Sequence, residues 1–139
     1  MAAAACGLIA MTRRLDMHRT STPAVLYICA ERSQGSPGLA KERAEQEGRD
    51  FASKRDFHIV AEITDPYGDP NPQNRAGWVR VRELAERDEV DAVIMRWPNC
   101  LSAHHELRYS EMEHLAEYGV QVRFSWAPLA TMADSGASR

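Results

Sequence analysis

Three short stretches hold the residues that could do chemistry. The first, Tyr27-Ile28-Cys29-Ala30-Glu31-Arg32-Ser33, sets a phenol, a thiol, a carboxylate, a guanidinium and a hydroxyl almost side by side. The second runs from Asp65 through a proline-rich loop to Arg75-Ala76-Gly77-Trp78, and the third is Trp97-Pro98-Asn99-Cys100-Leu101-Ser102, with His104 and His105 just beyond. Ser33 with Arg32 beside it sets a hydroxyl next to a guanidinium at the end of the first stretch. Cys29 and Cys100, with Glu31, His104 and His105, would instead suit zinc binding or thiol redox chemistry.

Each group also has a plainer reading. Ser33-Gln34-Gly35-Ser36 is turn chemistry, and Arg75 most simply caps or pairs with a nearby acid, Asp65 or Asp69. Free cysteines pack as small hydrophobes, and adjacent histidines at a helix start point in different directions, so they read as solvated. Trp78, Trp97 and Trp126 suit core or crevice walls, since a stacking platform for bases wants basic neighbours and only Arg96 and Arg123 offer any. On these grounds no metal set and no cofactor is assigned.

The elements that must position these residues follow from hydrophobic patterning. Ala24 to Ala30 is a continuous β-favouring run, as in a strand covered on both faces, and His58 to Ile63 alternates more, as nearer a sheet edge. Asp91 to Arg96 and Val120 to Trp126 give two further strands. Between them fall helical stretches at Leu39 to Lys54, at Gly77 to Asp88 with Trp78, Val81, Leu84 and Ala85 as its core stripe, and at Ser102 to Tyr118. The last of these takes Ser102 as N-cap, Leu107, Met112, Leu115 and Ala116 for the core, and Gly119 as C-cap. Three prolines and a glycine break the pattern from Thr64 to Asn74, and a loop of that length is more often functional than idle. Strand and helix alternating in this way close into a mostly parallel sheet of four or five strands with helices on both faces, a three-layer α/β sandwich. Ligands of such sheets sit at the carboxyl ends of the strands, where all three stretches lie.

Composition bounds the function. A chain of 139 residues, 44% hydrophobic and 27% charged, suits one globular domain with a real core. Seventeen Lys and Arg against twenty Asp and Glu leave a net charge of -3, which lacks the basic footprint of an avid, non-specific nucleic-acid binder. Cys6, Cys29 and Cys100 are odd in number and widely separated, which favours reduced thiols and a cytoplasmic location. Met1 to Met11 is apolar, but Arg13 and Arg14 follow the run where a secretory signal has charge before it, and the run is too short to cross a bilayer. Met1, Met11 and Met17 are all possible starts, so residues 1–22 read as a disordered or artefactual extension. The domain then occupies 23–127, with a frayed, flexible tail over 128–139.

From Ala24 to Trp126 the chain resembles the N-terminal catalytic domain of the serine recombinases of the resolvase and invertase family. The likeness rests on Phe51 to Asp65, on Arg75-Ala76-Gly77-Trp78 against the family's Arg-Pro-Gly-Leu, and on Asp91 to Ser102 against its aspartate-led strand and Asp-Arg-Leu-Ser-Arg segment. It implies a resolvase-like fold and an ancestry in DNA strand exchange. The family's Tyr-x-Arg-Val-Ser, with its nucleophilic serine and phosphate-neutralising arginine, is here Tyr27-Ile28-Cys29-Ala30-Glu31, so both are replaced. Arg75 matches an arginine of the phosphate-binding cluster. Asn99-Cys100-Leu101-Ser102-Ala103 lacks the acid and both arginines of the family segment.

The resemblance therefore implies a recombinase-like scaffold without most of its cationic grip, and a carboxylate at the nucleophile position repels an incoming phosphate. The expectation is a catalytically inactive binding or interaction protein, with Tyr27, Cys29, Glu31, Arg32, Asp65, Asn99, Cys100 and Ser102 around its crevice. One alternative is an active or partnered recombinase subunit that acts through Ser33 and Arg75. Another is a small-molecule or metal-binding regulator that uses the same crevice. The family's dimerisation helix and DNA-binding module have no counterpart after Trp126, so DNA is expected to reach the chain through a partner protein, such as a recombinase or a second copy.

Overall fold

The computed structural model of the chain describes residues 21–29, 39–66 and 68–136. Strand β1 (Thr22–Ile28) leads to α1 (Leu39–Lys54), β2 (Phe57–Thr64), α2 (Ala76–Glu86), β3 (Ala92–Met95), α3 (His105–Glu117), β4 (Gln121–Phe124) and α4 (Ala127–Gly136). Single 3₁₀ turns at Pro72–Asn74 and Pro98–Cys100 stand before α2 and after β3. The sheet has four strands in the order β2-β1-β3-β4, and every pairing is parallel. This settles the four-or-five alternative at four among the described residues and puts β2 at an edge, as its alternation suggested.

Alternation along β1 and β3 divides the core between the two faces of the sheet. Val25, Tyr27, Val93 and Met95 point to one side, where they pack with Trp78, Val81 and Ala85 of α2 and Leu115 of α3. Ala24, Leu26, Ile28, Ala92 and Ile94 point to the other, against Phe51 and Ala52 of α1 and Ala130 of α4. Both middle strands are fully covered, which is why they read as unbroken apolar runs.

Three sequence expectations are corrected. Ser102 is not the N-cap of α3: the helix starts at His105 with His104 as cap residue, and the Ser102 hydroxyl is engaged elsewhere. Within α3, Ala116 is exposed, and the buried place goes to Glu111 beside Leu115. The stretch read as a frayed tail forms α4, because a small-residue segment carries Ala130 into the second core, where it is 5% exposed. Gly119 does end α3 in the left-handed region, at φ 76°.

The docking of α4 yields a test. Ala130→Glu buries a charge and is expected to cost about 2 kcal/mol or more. Met132→Glu, at a position 68% exposed, should stay within about 0.5 kcal/mol. Urea unfolding of both variants measures the difference, and equal midpoints would mean that α4 does not pack.

Candidate functional site

Asp65 is the first residue beyond β2, and its position there brings it to the start of α2. That helix leaves its N-terminal N–H groups without partners, and its own cap residue, Arg75, makes no side-chain capping bond. The Asp65 carboxylate does the capping from outside. Its Oδ1 accepts the Gly77 N–H at 2.8 Å and its Oδ2 the Trp78 N–H at 2.9 Å, as an ordinary N-cap residue would. The Tyr27 hydroxyl, rising from β1, donates to Oδ2 at 2.7 Å. Three donors and the positive end of a helix offset the desolvation of a carboxylate that is 5% exposed.

Arg75 closes the knot from the opposite side. Its guanidinium is not paired with the carboxylate of Asp65 or Asp69, as the sequence suggested, but with main-chain oxygen. Nε and Nη2 donate to the Asp69 carbonyl at 3.0 and 2.7 Å, and Nη1 donates to the Cys100 carbonyl at 2.9 Å and to the Tyr27 hydroxyl at 3.3 Å. Of the five N–H donors an arginine possesses, four are bonded within the chain, and the residue is 7% exposed. The Tyr27 oxygen thus lies between a buried cation and a buried anion. Burial and the bond to Asp65 push its pKa far above the ordinary phenol range, so it stays protonated.

The flanking residues lock the same loops. Ser102 Oγ donates to the Pro70 carbonyl at 2.7 Å and accepts the His104 N–H at 3.1 Å. Cys29 Sγ lies 3.7 Å from the Pro66 carbonyl. Both Cys29 and Cys100 are free and buried, and burial pushes both thiols up, which makes them poor nucleophiles at neutral pH. Among the described residues no three His, Cys, Asp or Glu side chains come together as a metal set.

Of the residues singled out in the sequence, Tyr27, Asp65 and Arg75 therefore meet directly. Cys29, Cys100 and Ser102 line the same loops, and Asn99 stands on the exposed rim, where Arg108 reaches its Oδ1 at 3.4 Å. Glu31, Arg32 and Ser33 lie outside the described residues. Sequence reasoning missed Glu111, 2% exposed on α3. Its carboxylate accepts the Trp78 indole N–H at 2.7 Å and the Gln73 amide at 2.9 Å, and Arg82 Nε lies 3.4 Å away. It therefore fixes both the loop ahead of Arg75 and the first turn of α2. A signal was available: Leu107, Glu111 and Leu115 share one helical face, and an acid inside an apolar stripe asks for a buried donor.

The architecture has close structural counterparts. The N-terminal catalytic domain of TP901-1 integrase matches with a TM-score of 0.64 at 10% identity, over 84% of this chain and 94% of that one. A resolvase family site-specific recombinase from Streptococcus pneumoniae matches at 0.63 and 17% identity, over 85% and 89%. The C-terminal catalytic domain of ISC1926 TnpA, an IS607-like serine recombinase, matches at 0.63 and 20% identity, over 73% and 68%. The chain has the fold of a serine recombinase catalytic domain. No protein-family model matches it, and no curated protein matches it in sequence. Among the described residues no helix is long and apolar enough to cross a membrane.

In this recombinase-like fold, Gly77 is fixed by the Asp65 cap. A Cβ there would lie 2.6 Å from both carboxylate oxygens. Gly77→Ala should therefore destabilise the chain by about 2 kcal/mol. In an Asp65→Ala background the same change should be neutral or stabilising, since alanine is the better helix former by up to about 1 kcal/mol. A double-mutant cycle in urea reads the sign change; an equal cost in both backgrounds would break the link between the two residues.

Proposed function

We propose that this chain is a resolvase-type domain that acts by binding a partner and does not itself cleave DNA. The observation that carries the reading is the state of Arg75, the residue that matches an arginine of the family's phosphate cluster. Its fork is turned inward onto the carbonyls of Asp69 and Cys100 and onto Tyr27. A phosphodiester under attack needs guanidinium donors free to meet its non-bridging oxygens, and losing one such donor typically costs on the order of 100- to 1000-fold in rate.

The neighbouring positions support the same reading. Cys29 stands where the resemblance places an arginine, and its buried, protonated thiol offers no positive charge. Asn99 and Cys100 stand where it places an acid and an arginine. The Ser102 hydroxyl is committed to the Pro70 carbonyl, and Glu31 holds the nucleophile's place in the sequence. What remains is a rigid scaffold with its loops tied together, suited to recognition by a protein such as an intact recombinase or a second copy, through which DNA is reached. We place it in the cytoplasm.

Supercoiled plasmid incubated with the full chain and Mg²⁺ tests this. The expected outcome is no nicking and no covalent protein–DNA adduct, with Ser33→Ala indistinguishable from the unsubstituted chain. An adduct that disappears in Ser33→Ala would overturn the proposal and identify a working recombinase subunit.

A further inference from the structure

The sheet face opposite Tyr27 and Arg75 carries a second feature, a cleft of about 560 Å³ between α1 and the start of α4. Its long wall is one face of α1. Arg43, Glu47, Asp50 and Lys54 follow one another there at helical spacing, a stripe with cations at both ends and acids between. The two acids are already engaged. Glu47 faces Arg96 of the sheet at 3.2 Å and accepts the Ser125 hydroxyl at 3.4 Å, and Asp50 accepts the Gln46 amide at 3.0 Å. Arg43 and Lys54 have no acid partner among the described residues. Eleven positions separate them, three helical turns on one face, so they stand roughly 16 Å apart.

The floor of the cleft fits a polypeptide, and a tryptophan pair lies next in the chain to its lining. Phe51, with the Arg55 guanidinium 4.2 Å from its ring centroid, Ala130 and Ser125 line the bottom. Ser125 and Ala127 flank Trp126, which meets Trp97 edge to face at 5.5 Å. Trp97 is 39% exposed and carries the Arg96 guanidinium 4.9 Å from its ring centroid. Exposed tryptophan beside arginine is the composition of a protein-binding hot spot. The carboxylates of Glu47 and Asp50 along the wall would repel a nucleic-acid backbone with evenly spaced phosphates, whereas a peptide can carry its negative charges at the ends alone.

We propose that this cleft is a docking site for an acidic peptide segment of a protein partner, with carboxylates roughly five residues apart in an extended strand and apolar side chains between them. Arg43 and Lys54 hold the two ends, and the floor of Phe51 and Ala130 receives an apolar side chain between them. The site shares no residue with the Arg75 knot, so it stands whether or not the chain cuts DNA.

Fluorescence polarisation of the full chain with a labelled peptide, paired glutamates at both ends and leucines between, tests the proposal. Saturable binding is expected, weakened at least tenfold in the Arg43→Glu/Lys54→Glu variant and regained there by a peptide with lysines at the ends. Both positions are exposed, and a melting curve by circular dichroism verifies that the variant is folded. No saturable binding up to about 1 mM, equal binding by the reversed variant, or displacement of the peptide by a single-stranded oligonucleotide would each overturn the proposal.

Discussion

The hydroxyl of Tyr27, held between the Asp65 carboxylate and the Arg75 guanidinium, is the contact on which the carboxyl edge of the sheet depends. Two opposite charges are buried there without touching each other. Each is satisfied chiefly by main-chain groups, two N–H donors for the acid and two carbonyls for the base. Together with Tyr27 and Asp65 themselves, those groups join the end of β1, the end of β2, the loop at Asp69, the start of α2 and the turn after β3 into one body. Removing either charge would strand the polar groups it serves, and such losses are costly in an environment of low dielectric.

That arrangement ties the loops at the carboxyl edge of the sheet through buried groups of the chain itself. Cys29 and Cys100 set small buried side chains at this edge, and the carbonyl of Cys100 accepts from Arg75. The Arg75 guanidinium organises these loops. Glu111 completes the support from α3 by holding Gln73 and Trp78 on either side of Arg75. The other face of the sheet is free of these constraints, and there Arg43 and Lys54 stand without an acid partner among the described residues.

Much of the fold was legible because it rests on local pattern. Ala24 to Ile28 and Ala92 to Met95 are apolar without interruption since both faces are covered, and α1 runs over the very residues, Leu39–Lys54, that helix propensity marks. The helix at Ala127–Gly136 was missed because its small residues give weak periodicity, and its order comes from a tertiary contact at Ala130. In the site, Tyr27, Asp65 and Arg75 could be named from the sequence but not their partners. Asp65 caps a helix that begins eleven residues later, and Arg75 binds carbonyls, which every residue has and no side chain advertises. Ser102 misled for a related reason: a serine ahead of a helix looks like a cap, while the carbonyl of Pro70 that takes its hydroxyl is distant in sequence.

The central claim is that the Arg75 fork is committed to the protein interior. Side-chain ¹⁵N NMR of the full chain, with the Arg75 Nε–H signal identified through Arg75→Lys, measures this directly. The account predicts a signal protected from solvent exchange and unmoved when duplex DNA or inorganic phosphate is added. A rapidly exchanging signal, or one that shifts on titration with duplex, would contradict it.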